Sequence, residues 1–121
     1  MLISALVLMV AGILVVVVSE RAASGRLGIN SLAGIRTSAL MASEAAWTAG
    51  HRAARIPMDL AGLVLFLAGA VAVAFRLGEP ATGAIVLSAA VASVVLIVIG
   101  AVVATPAATR ALVLELDDSP S

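Results

Sequence analysis

The residues whose chemistry could carry a function lie in one stretch, from Asn30 to Arg55. This stretch holds three of the seven basic residues, together with the only Trp and the only His of the chain. A single His offers no second ligand for a metal, and the sequence contains neither a glycine-rich phosphate loop nor a serine elbow. We therefore predict a binding segment, with no enzymatic activity, no metal and no cofactor.

Two opposite charges in this stretch, Arg36 and Glu44, have only uncharged residues between them. They could pair and fold the segment back on itself, or Arg36 could hold the segment through backbone carbonyl groups. The alternative is two solvated charges, because exposed ion pairs contribute only about 0 to 1 kcal/mol.

Trp47, His51 and Ala54 are spaced so that they share one face of a helix. This face is expected to lie on the bilayer or on another helix. Trp47 is typical of an interfacial anchor whose indole N–H points toward the head groups. The alternative is that it donates this N–H within the folded segment. An unperturbed His titrates near neutrality, which permits a pH sensor, although a lone His is more often polar surface.

The composition is that of an integral membrane protein. The hydrophobic fraction is 63%, the mean hydropathy is +1.23 and charged residues make up 12%, against roughly 25% in soluble domains. The net charge of zero gives no positive field that would hold nucleic acid, so DNA and RNA are not expected as partners. The chain has no cysteine, which excludes disulfides and thiolate chemistry.

Three apolar runs predict three transmembrane helices, at about residues 1–19, 56–75 and 82–104. About 20 residues at ~1.5 Å each span the roughly 30 Å hydrocarbon core of a bilayer. Residues 20–55 form the polar segment, predicted as a partly helical loop at the membrane surface. The tail, residues 111–121, is short and acidic, and residues 115–121 are predicted to fray. The fold class is therefore an all-α integral membrane protein with a single domain, residues 1–121.

Local signals predict the helix boundaries. Thr37 or Ser43 can cap a helix in the polar segment, and one helix from about Ser38 or two short helices both fit the pattern. Pro57 predicts a bend where this segment joins the second span, since proline lacks the N–H that a continuing helix needs. For the same reason Pro106 should end or bend the third span.

The distribution of arginines predicts the orientation. With three spans, the first loop and the C-terminal tail share one side, which carries six of the seven arginines: Arg21, Arg26, Arg36, Arg52, Arg55 and Arg110. The opposite side carries Arg76 alone. The positive-inside rule then places residues 20–55 and the C-terminus in the cytoplasm and the N-terminus outside. The exclusive use of Arg hints at a bacterial genome of high GC content, and thus at a bacterial plasma membrane.

Asp59 is the one ionisable residue that these boundaries place inside a span. It lies about one turn into the second span, four residues after Arg55, and we predict an ion pair between the two.

Eight residues of the polar segment resemble the signature of the SdpI family of small membrane proteins. That signature reads Asn, three residues, Gly-hydrophobic-Arg-Thr, six residues, Glu, two residues, Trp, three residues, then His or Asn and a basic residue. The chain supplies every position without insertion: Asn30, Gly34, Arg36, Thr37, Glu44, Trp47, His51 and Arg52. The family usually places Pro after the Arg-Thr pair, where this chain has Ser38. The resemblance covers about residues 19–104.

This resemblance implies immunity to a toxin, together with membrane sequestration of a repressor in the founding member. The first hypothesis is therefore a membrane protein that binds a membrane-active peptide, a toxin or a regulatory protein through the polar segment. The alternative is a small accessory subunit that docks onto a larger membrane complex. A homo-oligomer is compatible with the first hypothesis. Small residues around Gly69, and Gly100 with Ala104, allow helices to approach closely, although packing within the chain would use them equally well.

Overall fold

The computed structural model describes residues 2–118, which form four α-helices. Helix α1 is Leu2–Ala23, α2 is Glu44–Ala53, α3 is Arg55–Ala74 and α4 is Ala81–Asp117, and a 3-10 turn occupies Leu40–Ala42. Helices α1, α3 and α4 are long and apolar enough to cross a membrane. The predicted all-α membrane fold, with three spans and a partly helical connection, is confirmed.

Helices α1 and α3 are antiparallel, with their backbones in close contact. A Cβ atom added to Gly12 would collide with the carbonyl oxygen of Gly62, and one added to Gly69 would lie 2.5 Å from the carbonyl oxygen of Ala5. Lipid tails are as apolar as the side chains, so helices in a bilayer associate through this kind of close packing rather than through the hydrophobic effect.

Helix α4 packs on α3 and α2, and small residues again form the contact. A Cβ on Gly100 would lie 3.2 Å from the sulfur of Met58, and Ala104 is fully buried. Gly69, Gly100 and Ala104 therefore serve packing between the helices of this chain, which was one of the two predicted uses for them.

Helix α4 does not end at Pro106, contrary to one form of the prediction. It runs for 37 residues with this proline inside it. Just before the proline, the hydroxyl of Thr105 donates a hydrogen bond to the carbonyl oxygen of Ala101 at 2.9 Å. At ~1.5 Å per residue the helix is roughly 55 Å long, so it extends beyond a bilayer core of about 30 Å. The predicted frayed tail is wrong up to residue 117, which is helical, and residues 119–121 lie outside the described part.

Helices α2 and α3 are separate and meet at Ala54, just before Pro57, where a bend was predicted. Pro57 is the third residue of α3. Its missing N–H removes no hydrogen bond there, because N–H groups of the first helical turn have no intrahelical partner. The short α2 thereby leaves the line of α3 and packs on the C-terminal part of α4.

A hydrophobic core lies at this end of the helices, where the polar segment meets the spans. It joins Ala22 of α1, Ile35 and Leu40 of the polar segment, Trp47 of α2 and Ala108 of α4. We call it the loop core. The extension of α4 past Pro106 supplies one of its walls, so the polar segment folds against helices rather than lying free on a surface.

Candidate functional site

Trp47 lies at the centre of the loop core. Its side chain is 0% exposed, and its Nε1–H donates to the carbonyl oxygen of Leu27 at 2.8 Å. The prediction of an interfacial anchor is therefore wrong, because the indole N–H is satisfied by backbone of the polar segment and not by lipid head groups. A buried indole with its N–H paired fixes the position of the chain 20 residues earlier in the sequence.

His51 is buried beside Trp47, with 4.4 Å between the ring centroids. Its Nε2 accepts a hydrogen bond from the backbone N–H of Ile35 at 2.9 Å. The proton of the neutral ring is therefore on Nδ1, which donates to the carbonyl oxygen of Trp47 at 2.8 Å. Burial lowers the pKa of His51 below its ordinary value of 6.5. The interpretation of this residue as polar surface is wrong.

Gly34 gives the chain room to pass over these two rings. Its φ of +103° lies where side chains are rarely tolerated. A Cβ atom there would lie 2.7 Å from Cη2 of Trp47 and 3.0 Å from Nε2 of His51. A glycine is thus required for two independent reasons, and it lets the N–H of Ile35 reach the imidazole.

Asn30 shapes the turn that leads to Gly34. Its Oδ1 accepts from the backbone N–H groups of Leu32 at 2.9 Å and Ala33 at 2.8 Å, and its Nδ2 donates to the carbonyl oxygen of Gly28 at 2.9 Å. Such bonds let an Asn side chain replace backbone partners in a turn. The Asn30 carbonyl oxygen in turn accepts from Nε of Arg36 at 3.1 Å.

The predicted pair of Arg36 and Glu44 does not form. Arg36 reaches only as far as the Asn30 carbonyl oxygen, while the carboxylate of Glu44 accepts from the N–H of Ile29 at 3.3 and 3.4 Å. Gly28 lies directly against this carboxylate. Glu44 is the first residue of α2, where the helix dipole favours an anion, so a backbone N–H takes the place expected for the guanidinium.

Ser43 is the N-cap of α2, which confirms one of the two predicted caps. Its hydroxyl oxygen accepts from the N–H of Ala46 at 3.0 Å, and the hydroxyl donates to the carboxylate of Glu115 in α4 at 3.1 Å. The hydroxyl of Thr37 is buried without a hydrogen-bond partner, whereas its carbonyl oxygen accepts from Met41 at 3.0 Å. Thr37 is therefore not a cap, because the N-cap of the 3-10 turn is Ala39.

Two arginines tie α2 and α3 to the end of α1. Nε of Arg52 donates to the carbonyl oxygen of Ala23 at 3.0 Å, where the last turn of a helix leaves carbonyls without partners. Nε of Arg55 donates to the carboxylate of Glu20 at 2.8 Å. The predicted pair of Arg55 with Asp59 is wrong, because Glu20 stands across the α1–α3 contact and takes this guanidinium.

The polar segment also forms part of the wall of an apolar cavity of about 260 Å³, which lies between the spans and is open to the surface. Helix α1 contributes Val15 and Val18 to its wall, α4 contributes Ile97, and the polar segment contributes Ala33 and Gly34. Over residues 2–118 no group of three or more His, Asp or Glu side chains is placed to hold a metal. The arrangement is suited to holding an apolar group.

The fold and this site define a class: a small multi-pass membrane protein with an ordered polar connection at one end of its spans. The model of the SdpI/YfhL protein family matches residues 26–109, and this match includes all eight motif residues. The chain belongs to the SdpI/YfhL protein family. Comparison with curated proteins returned no match, and neither did comparison with solved structures.

Three contributors to the site were missed from the sequence. Leu27 acts through its carbonyl oxygen, Leu40 is fully buried in the loop core, and Glu115 binds Ser43 from 72 residues away. The burial of Leu40 could have been predicted, because it is a large apolar residue within a polar segment. A backbone acceptor carries no signal of its own in the sequence.

Proposed function

We propose that this SdpI/YfhL-family protein protects a bacterial plasma membrane against a membrane-active peptide or toxin by binding it, without catalysis. The observation that supports this function is the apolar cavity beneath Gly34. A membrane-active peptide is amphipathic, so an apolar side chain can enter this cavity while its polar groups meet the polar segment. Arg26 and Arg36 of the polar segment are exposed and available to such groups.

The arginines support an orientation with the polar segment in the cytoplasm and the N-terminus outside. Helix α1 ends, α3 begins and α4 ends on the side of the loop core, which is the side of the six arginines. Single cysteines at Ser24, Gly78 and Ser119, the last of which lies outside the described residues, test it. Only the cysteine at position 78 should react with an impermeant thiol reagent in intact cells, and labelling at 24 or 119 would invert the orientation.

The binding role is tested by filling the cavity. Ile97 lines it, while the next residue, Val98, is 55% exposed on the outer face of α4. Ile97→Phe and Val98→Phe therefore add similar bulk to the same helix, but only the first enters the cavity. In a gene-deletion strain challenged with envelope-active peptides, Val98→Phe should restore protection and Ile97→Phe should not, at equal amounts in the membrane.

Two results would contradict the proposal. Full protection by Ile97→Phe would show that the cavity does not bind the peptide. Unchanged sensitivity of the deletion strain across a broad panel of peptides would show that the protein confers no immunity. The alternative of an accessory subunit was suggested by small residues that here pack within the chain. Purification in mild detergent separates the two, since a stoichiometric larger partner would favour the subunit role and a monomer or homo-oligomer would favour immunity.

A further inference from the structure

A cavity lined by two arginines opens where the α1–α3 contact reaches the loop core. It measures about 480 Å³. Helix α1 contributes Glu20, Ala23 and Ser24 to its wall, α2 contributes Arg52 and α3 contributes Arg55. Two guanidinium groups share this wall with one carboxylate, so the lining residues carry a net positive charge.

Both guanidinium groups use only Nε for contacts within the chain. Nε of Arg52 donates to the carbonyl oxygen of Ala23 at 3.0 Å, and Nε of Arg55 donates to the carboxylate of Glu20 at 2.8 Å. Across residues 2–118, the terminal nitrogens of these two side chains make no hydrogen bond to the protein. The chain thus holds each planar group by one nitrogen and leaves donors whose geometry suits the oxygens of a phosphate.

An apolar groove of about 350 Å³ lies along the α1–α3 contact, within the spans. Ile13 and Val17 of α1 and Leu63 and Phe66 of α3 are among the residues that line it. Ile13 is 50% exposed and Leu63 is 47% exposed, so the groove is open on the side that faces lipid. Nothing in its wall is charged, which suits it to a hydrocarbon chain.

The groove and the arginine cavity lie on the same side of the α1–α3 pair. Ile13 and Glu20 are about two turns apart on α1, and Arg55 and Phe66 are about three turns apart on α3, so each pair shares one helix face. Asp59 lies on α3 between the two spaces but lines neither. From Arg55 to Phe66 the helix rises roughly 16 Å, which is close to half of a hydrocarbon core of about 30 Å. This length matches an acyl chain within one leaflet.

We propose that this face of the protein binds an anionic phospholipid from the leaflet on the side of the loop core. Its phosphodiester group accepts hydrogen bonds from the terminal nitrogens of Arg52 and Arg55, and one of its acyl chains lies in the groove. Basic pockets between transmembrane helices bind anionic head groups in this way. The site shares no residue with the cavity beneath Gly34, so it is separate from the proposed peptide site.

Native mass spectrometry of the full-length protein in a non-ionic detergent tests the head-group half of the site. The probes are phosphatidylglycerol and phosphatidylcholine with identical acyl chains. One molecule of phosphatidylglycerol should bind saturably and more tightly than phosphatidylcholine. Arg52→Gln should weaken its binding by about fivefold, the effect of one basic residue near anionic lipid. Arg110→Gln removes the same charge from α4, outside both walls, and should leave binding unchanged.

Leu63→Trp tests the acyl-chain half of the site without changing any charge. Leu67 is the matched control, because it lies one turn further along α3, is 50% exposed and is not part of the groove wall. Leu63→Trp should reduce the binding of both lipids by filling the groove, whereas Leu67→Trp should not. Should Arg52→Gln fail to insert into the membrane, this comparison and the preference for phosphatidylglycerol decide together.

Three results would overturn the inference. Equal binding of the two lipids, or equal behaviour of a site variant and its control, would show only the lipid that surrounds any membrane protein. Displacement of phosphatidylglycerol by inorganic phosphate would assign the arginines to a free anion. A dimer of the lipid-free protein that phosphatidylglycerol does not dissociate would assign the groove to a second copy of the chain. None of these outcomes depends on the proposed immunity role.

Discussion

The loop core and the α1–α3 contact are both closely packed, but they are made specific in different ways. At Gly12 and Gly69 the helices come close because these residues have no side chain. A Cβ atom at either position would collide with the backbone of the facing helix. In the loop core, Trp47 and His51 each hold a stated backbone group of the polar segment through a hydrogen bond. The spans therefore specify how closely helices approach, whereas the loop core specifies which atoms meet.

The difference predicts how each region fails. A substitution in the span contact loses packing, while one in the loop core also leaves a buried donor or acceptor without its partner. Gly34 belongs to both categories, since it clears space and aligns the N–H of Ile35 with His51.

Gly34→Ala is expected to have the largest effect. Backbone strain at a φ of +103° and collision with the Trp47 ring together should cost about 2 to 4 kcal/mol. Gly25 is the matched control, because its φ of +81° is also positive but nothing lies within 4 Å of an added Cβ atom. Limited proteolysis should cleave the polar segment of Gly34→Ala much faster than that of Gly25→Ala. Equal rates would show that the rings exert no steric demand at Gly34.

Gly12→Ala should come next, at about 1 to 3 kcal/mol. Its new methyl group meets the backbone of Gly62, which cannot rotate away, so α1 and α3 must separate. Gly83→Ala is the control in α4, with open space around it, and should be neutral or slightly stabilising. Denaturant titration in detergent micelles measures both. If the span contact and the loop core are stabilised independently, Gly12→Ala lowers the denaturation midpoint. At denaturant concentrations below that midpoint, the polar segment should stay protected from protease.

The sequence indicated the spans and the importance of the polar segment, but not the partners within it. Long apolar runs require no knowledge of neighbours, which is why the first two spans and the start of the third were located within a few residues, whereas α4 continues to Asp117, well past the predicted end at about residue 104. The pairing of Arg36 with Glu44 was inferred from charge alone, and the fold instead places the N–H of Ile29 at Glu44. The burial of Trp47 and His51 depends on the extension of α4 beyond Pro106. This extension was not expected, because proline usually ends or bends a helix.

The hydrogen bond of His51 predicts a pH dependence confined to the loop core. Burial lowers the pKa of His51 in the folded protein below 6.5, so the unfolded state binds more protons between the two values. Its contribution to stability is therefore complete above pH 6.5 and is lost as the pH falls through the lower, folded value. Protonation also turns Nε2 into a donor that opposes the N–H of Ile35.

Hydrogen exchange of the Ile35 amide measures this effect directly. Protection should fall in acid after correction for the intrinsic exchange rate. In His51→Gln the protection should be lower at all pH values but independent of pH in this range. The same acid response in His51→Gln would assign it to another group.

Arg36→Lys should have the smallest effect on folding, although Arg36 belongs to the family motif. Its one hydrogen bond runs from Nε to the carbonyl oxygen of Asn30, and the residue is exposed, so the loss should stay below about 1 kcal/mol. Trp47→Phe gives the comparison, because it removes the hydrogen bond from the buried indole to the carbonyl oxygen of Leu27, at a cost of about 1 to 3 kcal/mol. Protease resistance should therefore survive in Arg36→Lys and decline in Trp47→Phe.

If Arg36→Lys nevertheless loses protection against a peptide, the planar guanidinium acts on a bound partner rather than on the fold. If instead Arg36→Lys unfolds the polar segment as strongly as Trp47→Phe does, the guanidinium of Arg36 stabilises this segment by more than its one hydrogen bond accounts for.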